Sequence, residues 1–276
     1  MAEHFYDPVG KCIYCGSTKY ALRTDRKLGE EHIIPFGLYG TYVLPEASCK
    51  ECEKITGRQE SKFQRGALLP ARTFLSLPTR NKSNRPTELP LLVEDRKVMV
   101  KIEHYPACLM LLRFPPPRII DSSGAWGMGI SGKLFSYDAD ALKLHYGVTK
   151  FRWPILRADV LQRVIAKIAH SYAVAKLGID GFQPSLTHFI RNEQAYGLSN
   201  LIGSHHYELE ADAGHVMGFA MMEGFPHIVV VRIRLFAEFK MPTYLAVVGT
   251  RPGGPPIPDE WKAFDTEPFM EYTHGI

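Results

Sequence analysis

Cys12-Ile13-Tyr14-Cys15, Glu31-His32-Ile33-Ile34-Pro35 and Cys49-Lys50-Glu51-Cys52 follow one another within the first fifth of the chain, and together they decide the fold of its N-terminal part. A two-residue gap lets both sulfurs of a tight turn face one point, so two such pairs supply four thiolates to one tetrahedral zinc. Thiolates are soft ligands, and two dispersed pairs suit zinc. The loop between the pairs is 33 residues long, more than a minimal zinc ribbon needs. Inside it a histidine stands next to a carboxylate, which is the raw material for metal-assisted hydrolysis.

Working outward, Gly10 and Gly16 flank the first pair and permit its tight turn. Leu28 to Phe36 reads as a strand carrying Glu31 and His32, stopped by Pro35 and Gly37. Tyr42 to Leu44 reads as its hairpin partner. Ser48 is placed to cap a helix that runs on from Cys52 through Ile55, Gln59, Glu60 and Phe63. Strand alternation sends the side chains of Glu31 and His32 to opposite faces unless the strand is distorted or ends there.

This combination, over residues 10–65, resembles the HNH endonucleases, whose domain is the ββα-metal finger. The resemblance implies a structural zinc on Cys12, Cys15, Cys49 and Cys52. It also implies that His32 activates a water molecule and that Glu31 binds a catalytic magnesium or manganese ion. The chain departs from the family at two points. Glu53 stands just after the last cysteine, where the family has His or Asn, and Glu60 is an alternative ligand on the same helical face. Residues 41–48 contain no Asn to support the histidine. The implied activity is hydrolysis of DNA phosphodiester bonds.

Charge agrees with a nucleic-acid partner without establishing one. The net charge is +4, a mild excess. From Ser61 to Thr87, however, Lys62, Arg65, Arg72, Arg80, Lys82 and Arg85 occur with no acidic residue. Arg58, Lys62, Arg65, Arg72 and Arg80 are the candidate phosphate contacts. The fifth cysteine, Cys108, lies in an apolar run. An odd cysteine and the absence of a basic-then-apolar leader point to reduced thiols and a cytoplasmic protein. No apolar run approaches the ~20 residues of a membrane span.

The remainder reads as a larger α+β unit, giving an expected division into a nuclease domain at 1–85 and a second domain at 86–276. Leu91 to His104 reads as a hairpin and Ser122 to Gly132 as loop. Ala158 to Leu177 has the clearest helical periodicity in the chain, ended by Gly178. On that helix Arg157, Arg163 and Lys167 read as a solvated polar face and His170 as a core or interface residue. Pro184 to Gln194 reads as a second helix, and His227 to Phe239 and Tyr244 to Val248 as strands. His205, His206 and His215 lack the carboxylate spacing of a metal site and read as surface or loop residues. The second domain is left to target recognition, regulation or dimerisation, with a homo-oligomer and a small-molecule or protein regulator of that domain as candidate partners. The alternatives to this reading are a non-catalytic zinc ribbon that binds nucleic acid, and an effector whose larger domain detects a ligand and gates the nuclease.

Overall fold

In the computed structural model the described residues are 2–22, 25–80, 85–121, 127–154, 156–192, 198–205, 214–222, 224–258 and 264–265. Strand β1 (His4–Phe5) pairs in parallel with β3 (Tyr42–Ser48), which pairs antiparallel with β2 (Gly29–His32). Helix α1 (Lys50–Arg65) follows directly, so strand, strand and helix occur in the expected order. Strand β2 ends at His32, earlier than its apolar run suggests, and Phe36–Leu38 forms a turn of 3-10 helix. Strand β3 runs past Pro45 to Ser48. A proline is tolerated there because the ladder is irregular opposite it and Glu46 turns to a φ of 49°. The residue that caps α1 is Cys49, not Ser48.

Helix α2 (Leu69–Phe74) leads to the hairpin of β4 (Glu88–Val93) and β5 (Arg96–Lys101). A second hairpin joins β6 (Ala107–Arg113) to β7 (Gly129–Ser136), so the stretch read as loop up to Gly132 already forms strand from Gly129. Helix α3 (Ala139–Tyr146) packs with the β4–β5 hairpin around Leu91, Val100, Tyr105 and Leu142 in a satellite cluster.

Helix α4 (Ala158–Leu177) matches its sequence reading end to end. Five further elements complete the main sheet and its surroundings: β8 (Gln183–Pro184), α5 (Thr187–Arg191), β9 (Leu198–Ser199), β10 (Ile202–Ser204) and β11 (Val216–Ala220) precede β12 (Ile228–Arg234) and β13 (Thr243–Thr250). The sheet order is β10-β13-β12-β11, antiparallel, with β8 also on β13. The predicted helix over 184–194 is therefore a correction: Pro184 is in a strand, the helix spans only Thr187–Arg191, and Gln194 lies outside the described residues.

One hydrophobic cluster holds the molecule together, and it crosses the expected boundary at residue 85. Ile13, Ile33, Leu38 and Leu44 from the N-terminal part share it with Ile165, Ile168, Val231 and Val247. Helix α4 lies between the finger and the main sheet and is buried from Val160 to Ser171 without interruption. A helix covered on all sides must satisfy any polar residue it carries within the protein. No helix among the described residues is long and apolar enough to cross a membrane.

Candidate metal centre and histidine site

Three backbone features assemble the cysteines. Gly16, at φ 76°, closes the first turn so that its N–H reaches the Cys12 carbonyl at 2.8 Å. The Ile13 N–H donates to the Ala47 carbonyl at 2.9 Å, tying that turn to the end of β3. Cys49 then stands at the N-cap of α1, so that it and Cys52 share the first turn of that helix. As a result the sulfurs of Cys12, Cys15, Cys49 and Cys52 all lie within 4.8 Å of one another. Cys15 Sγ and Cys49 Sγ are 3.6 Å apart. A ZnS4 tetrahedron with bonds of about 2.3 Å has edges of about 3.8 Å, so the cluster has the size to hold a zinc ion.

Electrostatics agrees with that fit. The Cys12 thiol is pulled down to about 4, chiefly by a hydrogen bond from Cys52, while burial pushes Cys15 up to about 11. Cys52 is pushed far upward by the same bond to Cys12. Four sulfurs this close cannot all ionise unless a cation sits among them. The fifth cysteine, Cys108, is on β6 and belongs to no such group among the described residues.

The acidic-histidine pair divides as strand alternation requires. Register places Glu31 opposite Leu44 and His32 opposite Val43. Their side chains leave on opposite faces, because the irregularity in β2 lies before Glu31 and not between the two. Glu31 is buried at 5% exposure and turns into the core. Its carboxylate oxygen is 2.6 Å from Lys167 Nζ, and Glu60 lies 2.9 Å from the same nitrogen. Lys167 also donates to the main-chain carbonyls of His32 and Ile33. Burial beside Glu60 pushes the Glu31 carboxyl up to about 7, with Lys167 opposing. The two carboxylates hold the lysine protonated despite its burial.

His32 faces the other way and is half-buried. Its Nε2 is 3.0 Å from a carboxylate oxygen of Glu3, and its ring meets Phe36 edge-on at 5.8 Å. The sequence gives no signal for Glu3. It stands just before β1, and the parallel pairing of His4 with Tyr42 brings it to the Tyr42 end of β3, whose Val43 lies opposite His32 on β2. The third predicted carboxylate, Glu53, stays on the exposed side of α1 and accepts from the Tyr20 hydroxyl at 3.0 Å. Glu31, Glu53 and Glu60 therefore do not converge with His32. Among the described residues only the four cysteines gather three or more metal-ligating groups.

The basic candidates separate as well. Arg58, Lys62 and Arg65 form an exposed stripe along α1, and Arg80 is exposed. Arg72 is a structural residue: it donates to the carbonyls of Gly37, Gln64 and Pro78 at 3.0, 3.3 and 2.9 Å. Lys82 lies outside the described residues.

The polar residues of α4 require a correction. Arg157 is exposed, paired with Asp159 at 2.7 Å, but Arg163 and Lys167 are each only 2% exposed. Arg163 donates to the Phe189 carbonyl and lies over the Phe189 ring, so α5 supplies its partner. His170 Nε2 lies 2.7 Å from the Ile13 carbonyl, and burial pushes this ring down to about 4, so it is neutral. Ser171 meets the Tyr14 hydroxyl at 3.3 Å. His215 also serves the finger. Its Nδ1 accepts from the Phe236 N–H at 3.1 Å, so its Nε2 carries the proton and donates to Leu38 O at 2.5 Å. His206 lies outside the described residues. No family model matches the chain, and neither a curated protein nor a solved structure matches it.

Proposed function

We propose that the chain is an HNH-type endonuclease that hydrolyses DNA phosphodiester bonds, with His32 as the general base. The observation that carries this is the half-buried His32 with a carboxylate, Glu3, on its Nε2, on a strand of a cysteine-pinned ββα unit. A carboxylate on one ring nitrogen fixes the tautomer and leaves the other nitrogen to take a proton from water. Zinc on the four cysteines is structural in this account, since four protein sulfurs leave no open position for substrate. The basic stripe of Arg58, Lys62 and Arg65 supplies phosphate contacts.

A catalytic divalent ion fits the resemblance but not the carboxylates as they stand. Lys167 neutralises Glu31 and Glu60, and Glu53 is turned to Tyr20. The same observation favours a second reading, a zinc-pinned module that binds nucleic acid without cutting it. Gel-shift and end-labelled cleavage assays on one duplex, with magnesium present, separate the two. On the nuclease reading His32→Ala binds like the wild type and does not cut, and Glu3→Gln cuts roughly tenfold more slowly. A duplex that the wild type shifts and leaves intact is the result the binding module predicts.

A further inference from the structure

We propose that Lys167 is the resident cation of the finger: its ammonium group fills an oxygen-lined position between β2 and α1, excludes a divalent ion from it, and fixes the strand end that carries His32. Four oxygens surround Lys167 Nζ, from the carboxylates of Glu31 and Glu60 and the carbonyls of His32 and Ile33. Carboxylates and carbonyls are the donor set of hard cations such as magnesium and manganese. Here the charge arrives instead on a side chain from α4, 135 residues beyond His32 in sequence.

Lys167 cannot readily give up the position. Its side chain is 2% exposed, and α4 is packed between the finger and the main sheet. A divalent ion entering between Glu31 and Glu60 would strand an unpaired ammonium in the core, which is strongly unfavourable. The converse also holds. Removing the amine leaves the buried carboxylate of Glu31 and the partly buried one of Glu60 beside the two carbonyls, an arrangement that a divalent ion would neutralise. By holding the His32 carbonyl directly, Lys167 acts as a positioning residue for that strand end. None of this depends on the proposed nuclease activity.

The test uses full-length, zinc-loaded protein and Mn2+ binding followed by electron paramagnetic resonance. The wild type and Glu31→Gln should bind Mn2+ alike, showing no site that depends on Glu31. Lys167→Met should gain a Mn2+ site tighter than any wild-type binding by at least about tenfold, and Glu31→Gln in that background should remove it. A wild-type Mn2+ site lost in Glu31→Gln overturns the proposal, as does folded Lys167→Met that gains none. If Lys167→Met does not fold, reductive methylation of the wild type decides. Lys167 should stay unmodified under conditions that methylate exposed Lys54, with or without Mn2+. Methylation of Lys167 at the rate of Lys54 contradicts the proposal. A chain that fails here and still cuts DNA keeps its nuclease reading, and one that passes without cutting loses only that reading.

Discussion

Glu31 and His32 are adjacent in sequence and opposite in role. One is a core residue in an ion-pair cluster, the other a rim residue with its own carboxylate. The groups facing Glu31 are Lys167, Glu60 and Tyr14. Its folded-state value of about 7 lies above the ordinary 4.5. The folded chain therefore holds a proton that the unfolded chain releases between those values. The resulting stabilisation is complete below about 4.5 and is lost as pH rises through 7. Urea unfolding at pH 5 and pH 8 should show wild-type stability falling over that interval by on the order of 1–3 kcal/mol. Glu31→Gln should flatten the change, and an equal pH dependence in both proteins would contradict the assignment. At this scale the sequence was legible where chemistry is local. The cysteine pairs and the separation of Glu31 from His32 follow from spacing and alternation alone. Glu3 and Lys167 were not legible, because each meets its partner through tertiary pairing and neither lies in a motif.

Among the elements, α4 shows most clearly what periodicity can and cannot say. Its ends were readable from the apolar spacing and from Gly178. The role of its polar residues was not. Lys167 reads as part of a solvated polar face and His170 as a core or interface residue, and both, with Ser171, lie on the face that receives the finger. A helix pattern reports which residues share a face but not whether water or another element covers it. The first cysteine turn depends on the same contact through Ile13 and Tyr14, whereas the second begins α1. Cys12→Ser and Cys49→Ser should each lose the zinc, measured as metal per chain by atomic emission, because three thiolates and a hydroxyl make a much weaker site. Both should also lower the melting temperature of the whole chain, since the turns are part of the main core. Full retention of zinc in both variants would remove the four-cysteine site.

For the whole molecule, the α+β class and the N-terminal strand-strand-helix order were readable in the sequence, whereas the shared core was not. Pro86 and Pro90 mark a break in composition, but the hydrophobic cluster continues across it. Lys11 also pairs with Asp180 at 2.8 Å, and His215 reaches Leu38, so the finger is held from several directions. A zinc-loaded fragment of residues 1–85 should therefore fail to fold cooperatively. It lacks the partners of Glu31, Tyr14 and Ile13, and a domain so small has little core of its own. A well-dispersed amide spectrum from that fragment would show that the finger needs no support from α4. The claim on which the account turns is that this braced finger presents His32 for phosphodiester hydrolysis. The most direct measurement is the rate of supercoiled-plasmid nicking by wild type and His32→Ala at equal zinc content. The account predicts nicking by the wild type and a loss of at least about a hundredfold in the variant. Equal rates in the two proteins, or no nicking by the wild type, would contradict it.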